Sequence, residues 1–175
     1  MILGVPKGKV ILANHDNKWN IEFQRICEFI KTLHGDNILE IQHIGSTAIK
    51  DIIAKPLIDI AIIFKIYSEH VLSIMVKNNY KYYGEVANGN FLFVLKDEKE
   101  NTLQHIHCFD KNNIEIYNEK IKFRDFISSN IEYAKEYELL KNELYAKYSN
   151  DREKYTFGKQ IFFDKIKRLT EEKII

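Results

Sequence analysis

An α+β fold is predicted for this sequence: a mixed β-sheet flanked by helices, followed by a C-terminal helical portion. Three observations point to it. Before Asn118, short isoleucine-rich runs bounded by turn residues alternate with helix-period patterns. After Asn118, Lys, Glu and Tyr recur at helical spacing. The 175 residues, 45% of them hydrophobic, suffice to bury an adequate core without covalent staples. Residues 1–117 are read as the α/β core and 118–175 as helices packed on it, the two forming one compact unit.

The segment KVILA reads as a short first strand. Asp16 or Asn17 then caps a helix that carries Trp19, Phe23, Ile26, Cys27, Ile30 and Leu33 on one face, and Gly35 ends it. ILEIQHI is the next strand. PLIDIAIIF is almost continuously apolar, as expected of an interior strand covered on both faces. Ser68 is placed to cap the helix EHVLSIMVKNN. NFLFVLKD and TLQHIHCF are strands joined by the polar KDEKEN, whose length suits a hairpin. The remainder divides into EKIKFRDFISS, IEYAKEYELLKNELYAKYS and REKYTFGKQIFFDKIKRLTEE, with Ser149-Asn150 as a break and Asp151 as a cap.

Composition narrows the function classes. Lys and Arg number 26 against 25 Asp and Glu, so no global field favours nucleic acid. Cys27 and Cys108 lie in apolar surroundings without paired spacing, which fits reduced thiols and a cytoplasmic location. The first residues lack a cleavage-site pattern, and no apolar run is long enough to span a bilayer, so no membrane partner is expected.

Chemistry concentrates in HIGSTAIKDIIAKPLIDIAI, residues 43–62. Gly45 lets the chain turn after a strand, and successive N–H groups there can form a nest for a phosphate, with the Ser46 and Thr47 hydroxyls adding donors. A short helix beginning at TAIKDIIA would add its dipole. The alternative is an ordinary Gly-Ser turn. Asp59, among Leu57, Ile58, Ile60 and Ile62, is costly to desolvate and wants a metal, a cation or hydrogen bonds, unless it points to solvent near the strand end. Lys55, held extended by Pro56, can aim its ammonium at the turn.

These residues, with YYGE, HIHCF, FRDFI and KYTFGKQIFF, resemble the GrpB family of small bacterial proteins, from near Trp19 to near Phe163. The resemblance implies a nucleotidyltransferase-like fold, in which a Gly-Ser turn contacts nucleotide phosphates and acids on the following strand hold divalent metal. Gly45 and Ser46 then occupy the phosphate-turn positions and Asp59 the first metal-acid position. The chain departs from that plan where a second carboxylate is usual, since this position is Ala61, and Lys50-Asp51 replace a common Pro-Gly. A site missing one carboxylate holds cations loosely or holds only one.

His105 and His107, two apart on a strand, project to one face. With Asp59, and with His43 as a further cleft candidate, they form either a ligand set for Mg, Mn or Zn or a hydrogen-bonded pair lining a cleft or core. Arg124 either reaches a phosphate or carboxylate or fastens the helices to the sheet. Lys141, Tyr155 and Lys159 match family positions, either over the cleft or in helix packing. Glu85, beside Tyr82 and Tyr83, is the remaining candidate acid. Asp59 and His107 are the candidate catalytic pair. Three readings follow: metal-dependent nucleotidyl transfer to a small-molecule or other acceptor, a non-catalytic module binding a nucleotide or phosphorylated metabolite, and hydrolysis at a His/Asp metal site.

Overall fold

The computed structural model describes residues 3–112 and 114–172. Strands β1 (Ile38–Ile44), β2 (Ile58–Phe64), β3 (Lys81–Ala87), β4 (Asn90–Lys96) and β5 (Thr102–Asp110) form one sheet in the order β1-β2-β5-β4-β3. β2 and β5 run parallel, and every other pairing is antiparallel. The expected mixed sheet flanked by helices is therefore what the chain forms.

Alternation along the strands divides the sheet into two unlike faces. Ile58, Ile60, Ile62, Phe64, Phe93, Ile106 and Cys108 lie on one, packed against α1 (Lys18–His34) and α2 (Glu69–Lys77) through Trp19, Phe23, Ile26, Ile30, Val71 and Met75. Each such fully buried side chain contributes about 1.5–3 kcal/mol relative to exposure. The α1 stripe has the predicted period, and Gly35, at φ 51, ends that helix in a backbone conformation suited to glycine. Lys18 N–H is bonded at the helix entry by Asp16 Oδ1, 2.9 Å away.

The opposite face meets α3 (Ile114–Ser129), α4 (Ile131–Tyr148), α5 (Arg152–Phe157) and α6 (Gln160–Glu172). Ile44, Ala61, Ile63 and Phe109 pack on Tyr117 of α3. A second cluster, Ile49, Ile52, Phe126, Ile127, Tyr137, Phe162 and Ile166, joins the helices to the loop before β2. Asp151 caps α5, its carboxylate accepting from Lys154 N–H at 3.1 Å. Asp151→Ala is expected to lower stability by about 1 kcal/mol in urea denaturation.

Four local expectations differ from the structure. KVILA makes no strand: Val10 N–H bonds Ser149 O, and only Ala13 forms a bridge, to Ala54. Val10 instead packs with Leu144 and Tyr155. The unpredicted β3 is an edge strand whose side chains are exposed or half-buried, so its sequence carries no alternation to read. The final helix is broken into α5 and α6 around Gly158, where a Cβ would strike the Leu144 side chain. After Gly45 the helical turn is a single 3₁₀ turn, Ser46–Ala48, too short to supply a helix dipole.

Candidate functional site

Register builds the site. Asp59 pairs with His105 across the parallel strands, Ala61 with His107, and Ile44 with Asp59 across the antiparallel pair. Asp59, His105 and His107 therefore share the sheet face that looks toward α3–α6. At the end of β1 the chain turns through Gly45, with φ 70 and ψ −174. A Cβ there would sit 3.0 Å from Asp59 Cβ and Cγ and overlap Oδ2. The turn and the carboxylate are thus in direct contact, and only glycine allows it.

Asp59 Oδ1 lies 2.8 Å from His105 Nδ1, and Arg152 Nη2 lies 3.1 Å from His105 Nε2. A guanidinium can only donate, so Nε2 accepts and Nδ1 carries the hydrogen given to Asp59. His105 is thereby a bridge with both nitrogens in use. Burial opposes ionisation of Asp59, but the His105 hydrogen bond and surrounding positive charge, Lys55 included, hold its carboxyl well below the usual range. His107 Nδ1 lies 3.1 Å from Asn90 Oδ1, and burial pushes the imidazole well below its ordinary value.

Between this face and the helices lies a cavity of about 780 Å³. Gly45, Ser46, Asp59, His105 and His107 line one side; Lys120, Arg152, Tyr155 and Lys159 line the other. Lys55 and Lys159 extend over the same Tyr155 ring, 5.8 and 5.2 Å from its centroid. Burial, then repulsion from Lys159 and Arg152, pushes the Lys55 ammonium down to about 7. Burial, helped by Arg152 and opposed by Asp59, brings Lys159 to about 8. Lys120 is lowered by burial and held up by Asp59 and Glu119.

Several sequence candidates lie elsewhere or have other work. His43 is on the α1 face, stacked on Phe23 with its Nε2 3.1 Å from Thr47 Oγ1. Burial takes its pKa to about 4. Thr47 is buried and donates to Leu57 O at 3.1 Å, which fixes the turn and removes its hydroxyl from the cleft. Arg124 Nη1 donates to Gln42 Oε1 and His43 O while Nε bonds Asp125, so it fastens α3 to β1. Glu85 is exposed on β3, where it accepts from Gly89 N–H at 2.6 Å. Lys141 is buried, donates to Ile53 O and lies 4.4 Å from the Tyr137 centroid.

Arg152 and Lys120 were not candidates from the sequence. Arg152 directly follows a helix cap and Lys120 lies in a mixed-charge helix, so neither stands out from solvated neighbours. Among the described residues, no three His, Cys, Asp or Glu side chains are grouped to hold a metal ion. With His105 engaged on both sides and Ala61 offering nothing, Asp59 and His107 remain as donors, too few for a metal site built from protein ligands alone. No described helix is long and apolar enough to cross a membrane.

A family model described as GrpB protein matches residues 9–169. The chain is 36% identical over 174 residues to the glutamate-rich protein GrpB of Alkalihalophilus pseudofirmus, covering 94% of this chain and 98% of that protein. It is 32% identical to UPF0157 protein YqkA of Bacillus subtilis, over 88% of this chain but only 45% of that longer protein. The crystal structure of conserved protein GrpB from Enterococcus faecalis superposes with a TM-score of 0.84 at 26% identity, covering 94% of this chain and 99% of the other.

Proposed function

This chain belongs to the GrpB family, and from that premise we propose that its cleft binds a nucleotide or another phosphorylated small molecule on a nucleotidyltransferase-like scaffold. One observation carries the reading: Lys55, Lys120, Arg152 and Lys159 line the cavity into which the Gly45-Ser46 turn and the Asp59 carboxylate also open. Partly enclosed cations with depressed pKa values sit in repulsion until an anion arrives. Phosphate suits them, because Arg offers a fork to its oxygens and Lys a compact charge.

Binding without transfer is the form the residues favour. Two-metal phosphoryl chemistry needs carboxylates that hold both ions, and the second position is Ala61. Nucleotidyl transfer to an acceptor is the second reading. It is favoured by the contact between the glycine turn and Asp59, which puts the acid beside the place a phosphate would occupy.

Thermal unfolding of the whole chain with a panel of nucleoside mono-, di- and triphosphates tests both. A rise in Tm that saturates with ligand concentration is expected, as linkage requires of a site present only in the folded state. Pyrophosphate release under the same conditions would establish transfer. Indifference to every phosphorylated compound would end the proposal.

A further inference from the structure

A bound di- or triphosphate brings several negative charges into a partly enclosed space, where they must be neutralised. Sites with paired carboxylates do this with divalent ions. Here the strand positions that would supply the ligands hold Asp59, Ala61, His105 and His107, and His105 is tied to Asp59 at 2.8 Å and to Arg152 at 3.1 Å. With His105 so engaged, Asp59 and His107 are the two ligands left, and a third from these positions would require the bridge to break.

Positive charge is already present on the chain. Lys55 and Lys159 share the Tyr155 ring as their contact, and neither forms an ion pair among the described residues. Lys120 lines the same cavity from α3. Arg152 rests on an imidazole, which offers a lone pair but no countercharge. These cations face Asp59, leaving a positive excess. The rim does not cancel it: Glu119 pairs with Lys167 at 2.6 Å, and Asp164 and Glu171 are partly offset by Lys122 and Lys141, so Lys and Arg still outnumber Asp and Glu in the lining. Lys141 is spent on the Ile53 carbonyl.

Resting on the phosphate reading above, we propose that the cleft takes a di- or triphosphate without a divalent metal ion, Lys55, Lys120, Lys159 and Arg152 supplying the charge that metal supplies elsewhere. The cleft therefore selects polyphosphates over monophosphates, because one phosphoryl group carries less negative charge than these four cations can neutralise. It also prefers the free polyanion to its magnesium complex, in which part of the charge is already neutralised.

Titration calorimetry of the full chain with inorganic triphosphate and with ATP, in EDTA and then in excess magnesium, tests this. Binding in EDTA at least as tight as in magnesium is expected, with orthophosphate at least tenfold weaker than triphosphate. Lys159→Gln and Arg152→Gln should each weaken triphosphate binding in EDTA by about tenfold, while Lys55→Arg, which keeps the charge, should retain it. Binding that appears only with magnesium, or tightens tenfold in it, overturns the metal-free assignment and leaves the phosphate reading standing. An unchanged Kd in both Gln variants overturns the assignment to these cations. Failure of both probes to bind in either condition removes this inference, and removes the phosphate reading with it if the nucleotide panel also leaves Tm unchanged.

Discussion

Gly45→Ala is expected to cost about 3 kcal/mol of folding stability and to abolish triphosphate binding. Two effects add. At φ 70 and ψ −174 the backbone lies in a region open essentially to glycine, and another residue held there costs about 1–3 kcal/mol. The new methyl would also overlap Asp59 Oδ2 and press on Cβ and Cγ at 3.0 Å, and overpacking of this kind costs about 1–3 kcal/mol. The carboxylate must then move, which breaks the bridge to His105. Urea denaturation of Gly45→Ala, Asp59→Ala and the double variant separates the parts. Truncating Asp59 to its Cβ should recover the part of the steric share due to the carboxylate and leave the backbone share and the Cβ contact, so the two changes should be non-additive. A single-variant loss below about 0.5 kcal/mol, the range of ordinary surface substitutions, would mean that turn and acid do not touch.

Between pH 6.5 and 8.5, stability and triphosphate affinity are expected to move in opposite directions. Lys55 and Lys159 have folded pKa values of about 7 and 8, below those of an unfolded lysine. In this window the unfolded chain binds more protons than the folded one, so their contribution to stability rises with pH. Ligand binding uses the protonated form. Affinity should therefore fall as these ammoniums deprotonate, by about tenfold or more if each charged contact is worth 1.5–3 kcal/mol. The groups facing them are Asp59 on β2, Arg152 on α5 and Lys120 on α3. Asp59, with its pKa lowered, stays ionised throughout and loses its contribution only as pH falls into the acid range. Comparing melts and titrations of the wild type with Lys159→Met isolates the Lys159 share. Parallel pH slopes for the two proteins would show that Lys159 does not titrate in this window.

Much of the frame is written in local patterns. The α1 stripe from Trp19 to Ile30 announces a helix by its period, and PLIDIAIIF announces a buried strand because almost every side chain in it is apolar. A turn at Gly45 and a strand bearing one acid, Asp59, were legible separately, while their contact rests on the β1–β2 register that pairs Ile44 with Asp59. What stayed hidden depends on pairing. Sequence spacing shows that His105 and His107 share a face, but only the β2–β5 register sets His105 beside Asp59. It likewise takes the β1 register to send His43 to the opposite face with Ile60, out of the cleft. Arg152 depends on a still longer connection, since a helix cap some distance along the chain must bring it back to β5.

The parallel pairing at the middle of the sheet also governs how the chain can acquire its structure. Asp59 and His105, in adjacent strands, are 46 residues apart in sequence. During synthesis, β1 and β2 can meet as soon as both have left the ribosome, but the free edge of β2 then lacks its hydrogen-bonding neighbour until β5 emerges. Closure of so long a loop precedes the contacts that reward it, which slows assembly. Residues of the face that α3 covers, such as Ile44 and Ile63, must wait exposed in the nascent chain until that helix follows, and early association between copies is the competing fate.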